Sequence, residues 1–302
     1  MINNINDSKK ASTGGVHIDF KKFTGVASVN IVAINPDNVK LRKLGFDIPE
    51  DAPEQTYLFS SDKGNFARVR FMAQIQDIAE KPIIPLDFTV RKDYRLNGDG
   101  TKCQIIDQYG RTAWATKEET RSRSIPQYAN GPAKISVPYK MCHSGEEELV
   151  RFLMKYLNVT PLEIFSRTAN AYVPTKDPGM LTIDHWDKLC EGDVSEIAGY
   201  IALKPKNCVK VILGVRLTDN NRTYQLFINS GFLSNNSFVN PSTGVYDLAK
   251  KYIDRYMENK DEDSYVFSAR AVQPYVEEAS VVEDNSGNMF EGASGDDDLP
   301  FD

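Results

Sequence analysis

The sequence predicts a mainly β chain with helical insertions, an α+β fold. Three observations carry that expectation. β-prone runs recur in pairs around turn signals. One strongly amphipathic helical segment falls in the gap between two such pairs. Residues 276–302 then turn acidic, rich in Gly, Ser and Asn and poor in apolar side chains. The order is strand, strand, long hairpin, helical insertion, hairpin, helix, tail. It suits an OB-fold-like five-stranded barrel with an inserted helical subdomain near 141–200 and a disordered acidic tail. An α+β sandwich satisfies the same order of elements.

Each element has its own local reason. Residues 1–15 are polar, without an apolar stretch, and read as a disordered leader rather than a secretory signal. VASVNIVAI (26–34) is a β-prone run closed by the turn INPDN. LRKLGFDIPEDAPEQ (41–55) reads as a loop with one helical turn. FARVRFMAQI (66–75) alternates Phe66, Arg68 and Arg70 against Ala67, Val69 and Phe71, which gives a strand with one basic face. Residues 85–107 form a hairpin around LNGDGT, an Asn-Gly and Asp-Gly turn signal. The polar stretch 115–134, with RSRS at 121–124, reads as a basic loop, and 134–140 as a short strand.

GEEELVRFLMKYLN (145–158) is the clearest helix. Leu149, Phe152, Leu153, Tyr156 and Leu157 line one face, and its acids occupy the first turn, where they complement the helix dipole. Residues 161–167 and 184–201 add short helical pieces. NCVKVILGVRLTD (207–219) and RTYQLFINSGFL (222–233) form a second hairpin around Asn-Asn. Residues 243–260 form a second amphipathic helix, and 264–269 a last strand. The core thus covers 16–275 and the tail 276–302.

Charge is unevenly distributed. The chain holds 36 Lys and Arg against 42 Asp and Glu, a net −6. Nine of the acids lie in 276–302, which has no Lys or Arg, so the body carries 36 basic against 33 acidic side chains. No run approaches the roughly 20 apolar residues of a membrane span. The four cysteines are widely spaced, with no CxxC, and read as reduced thiols. A cytoplasmic location follows as an expectation.

No phosphate-cradling GxxxxGK[ST], GxGxxG, HExxH or GxSxG occurs, so no catalytic constellation supports an enzyme. A zinc site would have to use Cys142, His143, His185 and Cys190; the preferred reading holds no metal and no cofactor. What remains is basic residues interleaved with aromatics. Arg68, Arg70, Arg91, Lys92, Tyr94, Arg95, Tyr109, Arg111, Trp114, Arg121, Arg123, Tyr128, Tyr139 and Lys140 are the candidate contacts for single-stranded nucleic acid. Cations there track phosphates while aromatic faces stack bases without sequence preference. On a strand, however, Arg91 and Arg95 share one face and Lys92 and Tyr94 the other. Arg216, Tyr224 and Phe227 on the later hairpin are secondary candidates. For any one of Phe88, Tyr94, Tyr109 and Trp114 the core or half-buried strand reading is preferred, whereas the cluster as a whole favours nucleic acid.

GDDDLPFD (295–302) places three aspartates before an apolar plug. Asp296, Asp297, Asp298, Leu299, Pro300 and Phe301 are similar to the C-terminal tip of bacterial single-stranded DNA-binding proteins. That resemblance implies docking of replication and recombination partners, with a pocket for the Phe and basic residues for the acids. Here Asp302 follows Phe301, so the terminal carboxylate is not the phenylalanine's own. In architecture the whole resembles phage-encoded single-stranded DNA-binding proteins, which would place it in the host cell cytoplasm. The function so implied is sequence-independent coating and protection of single strands in replication, recombination and repair. The alternative is a replisome or recombination adaptor that uses the tip without coating DNA.

Overall fold

The computed structural model describes residues 20–61, 64–107, 112–116, 139–158, 163–166, 171–174, 183, 185–218, 222–229 and 231–276. The expected leader, the RSRS loop and all but the first residue of the acidic tail lie outside them. Strand β1 (Phe23–Ile34) leads to helix α1 (Asn38–Lys43), β2 (Leu58–Ser61), β3 (Gly64–Ile75) and β4 (Ile83–Arg91). Then come β5 (Cys103–Asp107), β6 (Thr112–Ala115), β7 (Tyr139–Met141) and α2 (Glu146–Leu157). β8 (Glu163–Ser166), β9 (Ala171–Pro174), α3 (Trp186–Cys190) and α4 (Ser195–Ala202) precede β10 (Val209–Leu217) and β11 (Thr223–Phe227). α5 (Asp247–Met257), β12 (Tyr265–Phe267) and β13 (Gln273–Pro274) complete the series.

The main sheet is antiparallel, with long strands in the order β4-β3-β1-β10-β11. Strands β1, β3 and β4 follow one another, and β10 returns after a long excursion to lie beside β1. That is a Greek key. β1 serves two partners in turn. Its residues 25–29 pair with β10 and 29–34 with β3. A register shift between Ile31 and Ala33 marks the second half, where an extra residue bends a strand. Short strands finish the edges: β2 on β3, β12 on β10 and β13 on β1.

Alternation decides which face is buried. Val69, Phe71, Ala73 and Ile75 of β3, Leu86 and Phe88 of β4, and Val209, Val211 and Leu213 of β10 enter one core. Helix α2 closes it with Leu149, Phe152, Leu153, Tyr156 and Leu157, each worth about 1.5–3 kcal/mol on burial. Trp186, Leu189, Ile197 and Ile201 of α3 and α4 join the same core. The opposite face of β10 packs under α5 through Ile212, Ala249 and Phe267.

The start of α2 is fixed by Gly145, at φ 89°. A Cβ there would collide with the Thr89 carbonyl oxygen of β4, so only glycine lets the helix enter this closely. The other end of the helix is pinned by the Tyr156 hydroxyl, which accepts from the Ile31 backbone N–H at 3.3 Å and from Asn30 Nδ2 at 3.2 Å.

Three expectations need correction. First, no closed barrel is found: among the described residues no backbone pairing joins β4 to β11. Past Thr89 the free edge of β4 is taken by 142–145, with Arg91 N–H donating to Ser144 O at 3.0 Å and Ser144 N–H to Asp93 O at 3.0 Å. β11 is only five residues long. The gap is filled by rings, Phe88 against Phe227 at 5.4 Å and Phe152 against Phe232 at 5.1 Å. Second, the long hairpin at 85–107 is split. β4 stays in the main sheet, while β5 heads a separate sheet of order β6-β5-β7, and only the tip around Leu96 and Cys103 is hairpin-like. Third, the helical piece expected at 161–167 is strand β8, paired with β9. Its core Glu163–Ser166, EIFS, is too short for a helical period to dominate.

Candidate nucleic-acid interface

The site forms on the face of β2, β3 and β4 turned away from the core. Register places Phe59 of β2 opposite Phe66 of β3, and Phe66 opposite Arg91 of β4. Arg68 faces Thr89, and Arg70 faces Asp87. The two phenyl rings stack at 5.2 Å with an interplanar angle of 18°. The Arg68 guanidinium lies 4.4 Å from the Phe59 centroid, and that of Arg91 lies 5.3 Å from the Phe66 centroid. The result is a run of cation, ring, ring, cation across three strands. Such contacts are worth about 0.5–1 kcal/mol each where exposed.

Asp87 sorts the arginines. It accepts two bonds of 2.7 Å from Arg70, at Nε and Nη2, while Arg68 Nε stays 3.8 Å away. Burial pushes the Asp87 carboxyl upward, but the charge and hydrogen bonds of Arg70, with the charge of Arg68, hold it below its usual range. Burial drags Arg70 down, yet Asp87 outweighs it and raises that guanidinium. For Arg68, burial wins and the guanidinium is lowered. Arg68 Nε has no hydrogen-bond partner among the described residues. Arg68 and Arg70 thus share the single carboxylate of Asp87.

Local hydrogen bonds hold the scaffold. Asn35, at φ 40°, clips β3 beside the site: its Oδ1 accepts from Arg70 N–H at 2.7 Å and its Nδ2 donates to Arg68 O at 3.1 Å. The Tyr57 hydroxyl donates to Pro36 O at 2.8 Å, and burial pushes its pKa up to about 12.

The other sequence candidates scatter. Lys92 pairs with Glu191 at 3.3 Å on the surface. Tyr94 rests against His143, with centroids 5.0 Å apart. Arg95 donates to Glu147 at 2.9 Å, where Gln104 also donates at 2.8 Å and Arg151 pairs as well. That hub ties the β5 sheet to α2. Trp114 of β6 is 42% exposed, opposite Gln104. Tyr139 and Lys140 lie on β7, opposite Asp107 and Ile106. Phe88 is a core residue. Tyr109, Arg111, Arg121, Arg123 and Tyr128 lie outside the described residues, as do Asp296, Asp297, Asp298, Leu299, Pro300 and Phe301. Of the nine candidates among the described residues, the structure brings together Arg68, Arg70 and Arg91.

Sequence reasoning passed over Phe59, Tyr57 and Asp87. The signal was present in YLFSSDKGNFARVR (57–70), where β2 and β3 lie close in sequence and Phe59 stands opposite Phe66. No group of three or more His, Cys, Asp or Glu among the described residues is placed to hold a metal ion. No described helix is long and apolar enough to cross a membrane. No protein-family model matches the chain, and no curated protein or solved structure matches it either.

Proposed function

We propose that this chain is a non-enzymatic, sequence-independent single-stranded DNA-binding protein. The observation that carries the reading is the Arg68–Phe59–Phe66–Arg91 run. The partly exposed Phe59 ring accepts any base, with the buried Phe66 ring stacked on it as support, and the guanidiniums serve phosphates or stack beside the bases. The fold supports the same reading. The order β4-β3-β1-β10-β11, with a helix between the third and fourth long strands, is compatible with a partly open Greek-key barrel of the OB type. In that type the face of the second and third strands binds oligonucleotides. Here those strands are β3 and β4. The tip Asp296–Phe301 would then recruit replication or recombination partners.

A specific observation favours the adaptor as second reading. Arg70, Lys92 and Arg95 are each engaged by a carboxylate of the chain itself, which lowers the cation supply for coating. Anisotropy titration separates the two. The probe is labelled oligothymidylate of about 25 nucleotides, longer than the roughly 4–16 one such fold covers. Coating predicts tight binding over duplex of equal length, falling with salt at a slope of about −0.7 per phosphate contacted. Equal, weak binding to both forms would move the adaptor to first place.

A further inference from the structure

A second cation–aromatic cluster occupies the far end of the sheet. Arg216 of β10 pairs in register with Tyr224 of β11 on one side and Tyr265 of β12 on the other. Its guanidinium lies 5.8 Å from the Tyr265 centroid. Lys260, just past α5, lies 5.5 Å from the Tyr256 ring and 5.8 Å from the Tyr265 ring. The two tyrosines meet edge to face at 6.2 Å. All five side chains are partly exposed.

These cations are not spoken for. Arg216 Nε has no hydrogen-bond partner, and neither Arg216 nor Lys260 forms an ion pair among the described residues. Acids do stand nearby in sequence, Glu258, Asp261, Glu262 and Asp263. Asp261 is already used, accepting from Asp263 N–H at 3.3 Å and Ser264 Oγ at 3.0 Å. The two cations lie over tyrosine rings with no carboxylate partner among the described residues. A nucleotide uses both halves: phosphate for the cations, base for the rings.

Location distinguishes this cluster from the first. Both lie on the sheet face turned from the main core: Val209, Val211 and Leu213 point into it, whereas Arg216 alternates outward like Arg68. Arg216 lies three residues past Leu213, which pairs with Gly25 at the start of β1. Arg68 lies three residues before Phe71, which pairs with Ile34 at the end of β1. In register the two therefore lie about fifteen residue positions apart, about 50 Å along an extended strand at its usual rise.

We propose that Arg216, Tyr224, Tyr256, Lys260 and Tyr265 form a second contact site for the same single strand, reached only by oligonucleotides long enough to extend from the first cluster. The proposal rests on the function proposed above. The test compares full-length protein with Arg216→Gln/Lys260→Gln, titrated against oligothymidylates of about 5 and about 25 nucleotides. The expected result is a roughly tenfold or greater loss for the long oligonucleotide and a salt slope smaller by about 1.4. Binding of the short one stays within twofold. Lys260→Glu, a partly exposed change after the helix, keeps the test valid if the double variant melts early; it should show the same length-selective loss. Unchanged affinity for the long oligonucleotide, or equal loss for both lengths, overturns the second site and leaves the first standing. Failure of the wild-type chain to bind either oligonucleotide overturns both.

Discussion

Arg68 lies over the Phe59 ring at 4.4 Å, while the carboxylate that would claim it, Asp87, gives both its short bonds to Arg70. The ring and the less engaged arginine form one surface. Phe59→Ala removes a partly exposed ring and leaves the buried Phe66 side chain in the sheet. It should weaken single-strand binding by about 1–3 kcal/mol, the scale of one base stack, which is roughly 5- to 150-fold. Phe59→Tyr should restore most of it. Full affinity in Phe59→Ala, with an unchanged melting temperature, would exclude this face as the binding surface.

The Arg70–Asp87 pair predicts a pH dependence of stability. The folded Asp87 carboxyl titrates below its unfolded value of about 3.9, because the charge and bonds of Arg70 overcome its burial. Its contribution is therefore complete above about pH 4 and is lost as pH falls through the lower folded value. Asp87→Asn should cost on the order of 3 kcal/mol at neutral pH, since it strands Arg70. Urea denaturation at neutral and strongly acidic pH should show the gap to wild type shrinking on acidification. A gap that widens instead contradicts this account. Arg70→Met/Asp87→Leu should lie close to wild type.

Two glycines make opposite predictions. Gly145 has a positive φ and faces the Thr89 carbonyl, so Gly145→Ala must displace α2 from β4. A loss of several kcal/mol is expected, enough to impair folding. Gly199 sits inside α4, exposed, with nothing near the position of a Cβ. Gly199→Ala should stabilise by roughly 0.5–1 kcal/mol. Thermal melts of the pair would test the packing of α2 directly.

The thiols offer a rapid check. Cys103, Cys142 and Cys190 are buried, and Cys208 alone is partly exposed. Burial pushes Cys190 up to about 11 and raises Cys208 as well. Native protein should react with a thiol reagent at one cysteine, slowly at neutral pH, and at four after denaturation. Fast reaction at two or more in the native state would mean that the α3 or β5 packing is wrong.

What the sequence revealed followed periodicity and turn signals. β3, α2 and α5 were legible from a two- or 3.6-residue pattern, and β1, β10 and β11 from β-prone runs bounded by turn signals. The outward face of Arg68 and Arg70 came from the alternation of β3. The sequence did not reveal long-range competition for strand edges. Nothing local in Gly145 or Ser144 shows that 142–145 will occupy the edge of β4, and so the barrel stays open. Partner choice was equally hidden. Arg95 reads as a free cation until Glu147, 52 residues away, is placed beside it. Phe59 escaped because the short β2 has no period long enough to recognise.

The acidic segment 277–302 supplies the last prediction. Its nine carboxylates face a body with more basic than acidic groups. The strand before it is anchored at the start of β1, where Tyr275 N–H donates to Lys22 O at 2.9 Å and Pro274 pairs with Phe23. That is the Arg216 end of the sheet, not the Arg68 end. Twenty-six residues can reach roughly 90 Å when fully extended, so both clusters are within range. Effective concentration is nevertheless highest near the anchor. Competition by the segment should therefore weigh more on the Arg216 cluster. Deleting 277–302 should tighten binding of a long oligothymidylate about tenfold at low salt and that of a short one much less. The difference should fade as salt screens the carboxylates beyond about 10 Å. Equal tightening at both lengths would mean that the segment acts through net charge alone, and no tightening would remove it from the binding equilibrium altogether.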